Sequence, residues 1–193
     1  MTTTREHILQ TGRALIMSRG YTGFSYADVA EVVGVRKASI HHHFPAKSDL
    51  ARAVVAQSRI VLTSQAEALA AAGYDPLQQL RLYTGFWEQC IRDGSASFCV
   101  AAILAAEAPA LPADLLEEVQ THFQVLSDWL ERVLEQGAGA GRFALALPAK
   151  VEAQIFMSTV YGAMLTARAY GEAGLFATIV EGAFARLAPI ASS

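Results

Sequence analysis

Residues 25–44 read SYADVAEVVGVRKASIHHHF, and the pattern inside them decides the fold. Ser25 with Asp28 three positions on is a helix-start signature, because hydroxyl and carboxylate each satisfy a backbone N–H that a first turn leaves unpaired. Tyr26, Val29, Ala30 and Val33 follow on one face, and Gly34 stops the helix after about two turns. A second short helix starts near Arg36 and Lys37. Val35 and Ile40 fit inward anchors, and Arg36, Lys37, Ser39, His41, His42 and His43 carry polar heads for the other side. Two short helices about Gly34-Val35-Arg36 make a helix-turn-helix. With the first packed on a core, the second presents an outer face that fits the major groove of B-DNA. Its N-terminal turn brings free N–H groups and cations toward phosphate. Three consecutive histidines do not suggest a metal site, since adjacent helical residues splay by about 100°.

Outward from this stretch, helical period dominates and strand signals are nearly absent. Thr3 with Glu6 is a capping-box pattern, followed by Ile8, Leu9, Leu15 and Ile16 on one face. Gly20 reads as that helix's stop, at a position where a left-handed residue is often needed. The spacing predicts longer helices over about 47–72, 76–93, 97–108, 113–136, 148–170 and 174–188. The helix over 113–136 carries a clear stripe of Leu115, Val119, Phe123, Leu126, Leu130 and Val133. Gly137-Ala138-Gly139-Ala140-Gly141 is the one linker-like run. The expectation is an all-α protein of about nine helices. A three-helix head over 1–50 precedes a helical body over 51–193.

Charge supports the division. Residues 1–60 hold eight Lys/Arg against four Asp/Glu, and residues 61–193 hold seven against fourteen. A basic head on an acidic body is the electrostatic footprint of a DNA reader. Hydrophobic residues make up 53% of the 193, which excludes a disordered chain. The longest uncharged stretch, 153–167, is too short and too polar to span a bilayer, so no membrane role is expected. Cys90 and Cys99 imply no disulfide framework, and the expected compartment is the cytoplasm. No phosphate loop, Cys-x-x-Cys pair or nucleophile elbow occurs, so neither catalysis nor a cofactor is expected, and an enzyme is the runner-up reading. His122, on a Glu-rich helix, reads as a surface or pocket-lining residue.

The stretch from Gly20 to Leu50 resembles the DNA-binding domain of the TetR family of bacterial transcriptional repressors. The resemblance is carried by Gly20-Tyr21, Phe24-Ser25, Asp28-Val29-Ala30, Gly34-Val35, Lys37, Ser39-Ile40, His42-His43-Phe44, Lys47 and Leu50. Three positions depart from the family pattern: Arg36 in place of Ser, Ala38 in place of Gly, and His41 in place of a phosphate-reaching Tyr. The resemblance implies that Ser25 caps its helix and touches a phosphate. It also implies that Lys37, Ser39, His42 and Lys47 hold the backbone, while Arg36 and Ala38 face base edges. The implied partners are a double-stranded DNA operator, a second copy of the chain through the last two long helices, and a small-molecule inducer.

Tyr83, Phe86, Trp87, Phe98, Phe123 and Trp129 are bulky residues that either line an inducer cavity or form plain core. Cys99 through Glu107, CVAAILAAE, resembles a segment of the N-ethylmaleimide-responsive and acrylate-responsive members of the family. Cys99 is read two ways. At a helix N-terminus, with Arg92 folding back, it is a reactive thiol that meets the inducer; buried, it is a small hydrophobe. The fourth helix, from about Lys47, is the expected lever between head and body.

Overall fold

In the computed structural model, residues 3–96 and 98–189 are described, and among them all regular structure is helical. The order is α1 (Thr4–Arg19), α2 (Tyr26–Val33), α3 (Lys37–His43), α4 (Lys47–Ala71), α5 (Pro76–Asp93), α6 (Val100–Ala106), a 3₁₀ turn (Ala108–Ala110), α7 (Ala113–Gly139), α8 (Ala149–Tyr170) and α9 (Gly174–Leu187). Thr3 with Glu6, Ser25 with Asp28 and Asp75 with Gln78 form reciprocal capping boxes that start α1, α2 and α5. Each satisfies donors that the helix geometry orphans.

The chain divides into two compact units, residues 1–61 with 100–123 and residues 62–99 with 124–193. In the first, α1 packs on α2 and on α6, and α2 on α3. Ile8, Ile16, Val29, Ile40, Leu50 and Leu104 are fully buried there. Tyr26, also buried, donates its hydroxyl to the carbonyls of Phe44 and Ala46 and so ties α2 to the connection after α3. In the second unit, α8 and α9 form the largest helix pair. Leu130, Leu134, Phe156, Met164, Phe176 and Phe184 belong to one continuous core with α5 and α7 residues.

Three expectations change. The run from Gly137 to Gly141 is no linker: α7 continues through Gly139. Gly137 is there because Phe143 folds back onto the helix, and a Cβ at 137 would lie 2.1 Å from the Phe143 ring. The helix expected over 97–108 is only Val100–Ala106, two turns before the 3₁₀ turn at Pro109. His122 is not at the surface. It is buried on α7, and burial first, then the Arg59 cation, pull its pKa down to about 4, with Glu118 opposing. Arg59 and Glu118 pair at 2.7 Å, which joins α4 to α7 within the first unit.

This neutral histidine has a consequence for stability. Its folded pKa lies below the unfolded value of about 6.5, so the unfolded chain takes up a proton first as pH falls. The stability is fully present above about pH 6.5 and is lost as pH falls toward about 4. Urea unfolding of wild type and His122→Gln at about pH 7 and about pH 4.5 reads this. Wild type is expected to lose about 2–3 kcal/mol more than the variant across that interval. Parallel losses would show that His122 is not the group responsible.

Candidate functional site

The first unit carries the expected reading helix. Arg36 is the N-cap of α3 and makes no side-chain cap bond; Lys37 and Ala38 open the helix, exposed. Ile40 alone of α3 is buried, which rolls the remaining side chains outward. Ala38, Ser39, His42 and His43, with Val35 and Thr4, line an open concavity of about 490 Å³. His41 is exposed, but its Nδ1 lies 3.1 Å from the Pro45 carbonyl and its ring meets Tyr26 edge-on. His41 therefore packs on the scaffold rather than standing free.

Two of the groups expected to contact the DNA backbone, Ser25 at a phosphate and Lys47, are engaged inside the protein. Ser25 accepts from the Ala27 N–H and donates its hydroxyl to Asp28 at 2.6 Å. The Ser25 hydroxyl and N–H, and then Arg19, hold the Asp28 carboxyl below its usual range. Lys47 is half-buried: its ammonium donates to the Phe24 carbonyl and lies over the Tyr21 and Phe24 rings at 4.6 and 4.4 Å. Burial lowers its pKa.

One residue of this unit had no role in the sequence-based reading. Glu107, which follows α6, accepts from the Tyr21 N–H at 2.7 Å, the Thr22 N–H at 3.0 Å and the Thr22 hydroxyl at 2.8 Å. Burial alone would raise its pKa. The Thr22 and Tyr21 hydrogen bonds and the Lys47 charge outweigh that and hold it low.

The second unit gathers the thiol and most of the aromatic residues. Cys99 is buried and accepts a hydrogen bond from the Tyr161 hydroxyl at 3.7 Å. Phe98 packs beside Tyr161, with ring centroids 6.4 Å apart. Burial raises the Tyr161 and Tyr83 hydroxyl pKa values, and Cys99 adds to both, which places it near each hydroxyl. Among the described residues, the Tyr83 hydroxyl and the Trp87 indole N–H are buried without a hydrogen-bond partner. They lie close together without hydrogen-bond geometry. Tyr83 meets Trp129 edge-on at 5.3 Å, and both line an apolar groove of about 250 Å³ with Leu62, Ala66, Leu69 and Phe86. Donors left unpaired in an apolar interior suit an acceptor-bearing ligand.

The expected helper is elsewhere: Arg92 is exposed and pairs with Glu88 one turn back on its own helix. Phe123 falls in the first unit, edge-on to His122. Tyr161 was missed because it lies 62 residues from Cys99, inside a run that reads as ordinary core. On the last two long helices, through which a second copy was expected to pair, Phe156, Val160, Ala163, Ala167 and Phe176 are buried within the chain. Val151, Ser158, Gly162, Leu165 and Ala169 remain exposed on one face of α8, with Leu165 at 59%. Among the described residues, no helix is long and apolar enough to cross a membrane.

The comparisons with known proteins agree with this architecture. Residues 8–54 match the bacterial regulatory proteins of the tetR family, and residues 76–182 match the tetracyclin repressor-like C-terminal domain. A TetR family transcriptional regulator from Agrobacterium tumefaciens superposes with a TM-score of 0.93 at 49% identity, over 96% of this chain and 98% of that one. The reduced form of NemR from Escherichia coli superposes at 0.83 and 21% identity, over 98% of this chain and all of that one, which is a likeness of fold. By sequence, the HTH-type transcriptional repressor NemR of E. coli K12 is 25% identical over 86% of this chain and 84% of its own length. With one family domain over the helix-turn-helix and the other over more than half of the chain, this protein belongs to the TetR family of bacterial regulatory proteins.

Proposed function

We propose that this regulator represses transcription as a cytoplasmic homodimer and leaves its operator when a small, acceptor-bearing molecule, electrophilic in the first instance, enters the body beside Cys99. Reading is assigned to residues 1–50, and effector binding and dimerisation to 51–193. The observation that carries the effector half is the cluster of Cys99, Tyr161, Tyr83 and Trp87, a nucleophile among hydrogen-bond donors, two of them unpaired. An α,β-unsaturated carbonyl matches it. Its oxygen accepts a hydrogen bond from a tyrosine hydroxyl or the indole N–H. The Cys99 sulfur forms the new S–C bond at the β-carbon, the π pair moves toward the carbonyl, and the thiol proton ends on the α-carbon. Trp129 and Phe98 supply the apolar walls. Phe123, in the other unit, is kept only as a residue of the effector-binding part. The competing account is a non-covalent ligand held by Tyr83, Trp87 and Trp129.

On the reading side, Lys37, Ser39 and His42 are assigned to phosphates, and Arg36 and Ala38 to base edges. His41 serves that surface from its packing on Tyr26. Ser25 and Lys47 serve it by holding the start of α2. Binding of a duplex from the DNA flanking the gene, at low and moderate salt, tests the regulator itself. Lys37→Ala is expected to weaken specific and random DNA alike and to lower the salt slope by about 1. Arg36→Ala is expected to remove about 1–3 kcal/mol of discrimination at one base pair while leaving random binding in place. Unchanged random binding by Lys37→Ala would place that side chain off the phosphate face.

On the sensing side, N-ethylmaleimide is the probe, with the adduct followed by intact mass and DNA release by mobility shift. Wild type and Cys90→Ser are expected to release DNA and Cys99→Ser to retain it. Tyr161→Phe is expected to slow alkylation on the order of tenfold, the effect of losing one hydrogen bond to the developing thiolate. Release of Cys99→Ser at the wild-type dose supports the non-covalent account instead.

The exposed α8 face is assigned to the dimer. A Cβ at Gly162 or Gly182 meets no atom of this chain within 4 Å, so intramolecular packing gives no reason for glycine inside either helix. Close approach of a second chain does. Gly162→Glu is expected to sediment as a monomer at concentrations where wild type is dimeric and to lose operator binding. A dimeric Gly162→Glu protein would move the interface to another face.

A further inference from the structure

The connection between α1 and α2 is gripped from two sides. Glu107 takes its N–H groups: Oε1 accepts from Tyr21, and Oε2 accepts from the Thr22 N–H and hydroxyl. Lys47 takes the Phe24 carbonyl and covers the Tyr21 and Phe24 rings. With both carboxylate oxygens engaged, the Glu107 side chain is fixed about all its bonds rather than resting on the surface. Gly20 makes the approach possible. Its φ of 74° and ψ of −178° belong to a region that is essentially glycine-only. A Cβ at Gly20 would lie 2.0 Å from Glu107 Oε1.

The grip has a direction. Phe24 leads directly into the Ser25 cap of α2, and α2 packs on α3. Glu107 comes instead from the far end of α6, a helix that begins at the residue after Cys99 and packs on α1. Seven residues make a rod of about 10 Å. We propose that Glu107 is a positioning residue for operator recognition: it seats the α1–α2 turn, and with it the reading helix α3, at the end of α6. This rests on the reading of the protein as a dimeric operator binder and deepens it by naming how the head is set. In a dimer two reading helices must meet two half-sites at a fixed spacing. Random DNA makes no such demand, because backbone charge alone supplies the attraction.

The proposal therefore predicts a selective loss. The specific probe is the duplex that the wild-type dimer selects from a random pool; the second probe is random duplex at low salt. Glu107→Ala is expected to bind the selected duplex at least about tenfold more weakly and random duplex within about twofold of wild type. Glu107→Gln, which keeps one carbonyl oxygen and loses the charge, is expected to fall between. Amide exchange is expected to quicken at Tyr21 and Thr22 while Val29 and Ile40 keep their protection, as a local release requires. The proposal is overturned if Glu107→Ala holds the selected duplex within twofold of wild type. Equal losses on both duplexes also overturn it, because a general loss of fold or charge would then be acting. If Glu107→Ala unfolds, seen as lost protection at Ile40, Thr22→Val decides, since it removes one donor and leaves the carboxylate. A weaker selected complex with Ile40 protected supports the proposal, and an unchanged complex overturns it. A wild type that selects no duplex overturns the operator reading itself, and the positioning role with it.

Discussion

A seven-residue helix does not stand alone in water. Nucleation costs more than so few hydrogen bonds return, and α3 has no side-chain cap at its start to help. Its conformation is therefore imposed by what surrounds it. Ile40 supplies the one fully buried anchor, and the Tyr26 hydroxyl, donating to the Phe44 and Ala46 carbonyls, fixes the chain where α3 ends. Burial raises the Tyr26 pKa far out of reach of physiological pH, so the donor never ionises in use. The arrangement frees the outer face: residues that need not hold the helix can be chosen for what they read. This explains how Arg36 and Ala38 can depart from the family pattern without cost to the scaffold, since neither is buried.

The parts of this design that are local in the chain were legible in it. Ser25 with Asp28 and Thr3 with Glu6 act across three residues, and each announces a helix start that the structure contains. The stripe from Leu115 to Val133 was legible for the same reason, being one periodic signal. What escaped is non-local. Glu107 meets Tyr21 from 86 residues away, and nothing in AILAAE distinguishes a carboxylate that takes backbone N–H groups from one facing water. Arg92 was assigned to Cys99 by proximity in sequence, but Glu88, one helical turn back, was the nearer partner. The glycines after Gln136 carried a composition that reads as a linker, and only the return of Phe143 reveals Gly137 as a packing residue.

The body combines two demands that usually conflict. A core wants every polar atom paired, and a ligand site wants some left open. In the effector site proposed around Cys99, the conflict is met by placing the donors on large aromatic side chains. Tyr83 and Trp87 contribute apolar area whether or not their polar atoms are engaged. The same rings that pack against the core of α5 and α7 thus carry the donors assigned to the proposed ligand.

Gly20 and Glu107 differ in how freely they can change. Gly20 is held by two independent requirements, a backbone conformation closed to other residues and the carboxylate oxygen standing where a Cβ would go. Shortening Glu107 would remove the second and leave the first, so no single replacement at 107 opens position 20 to a larger residue. The reverse path is more restrictive still: a side chain at 20 displaces the carboxylate and strains the backbone together. A substitution at 107 thus costs only the contacts of the carboxylate, whereas one at 20 costs those contacts and the backbone conformation at once.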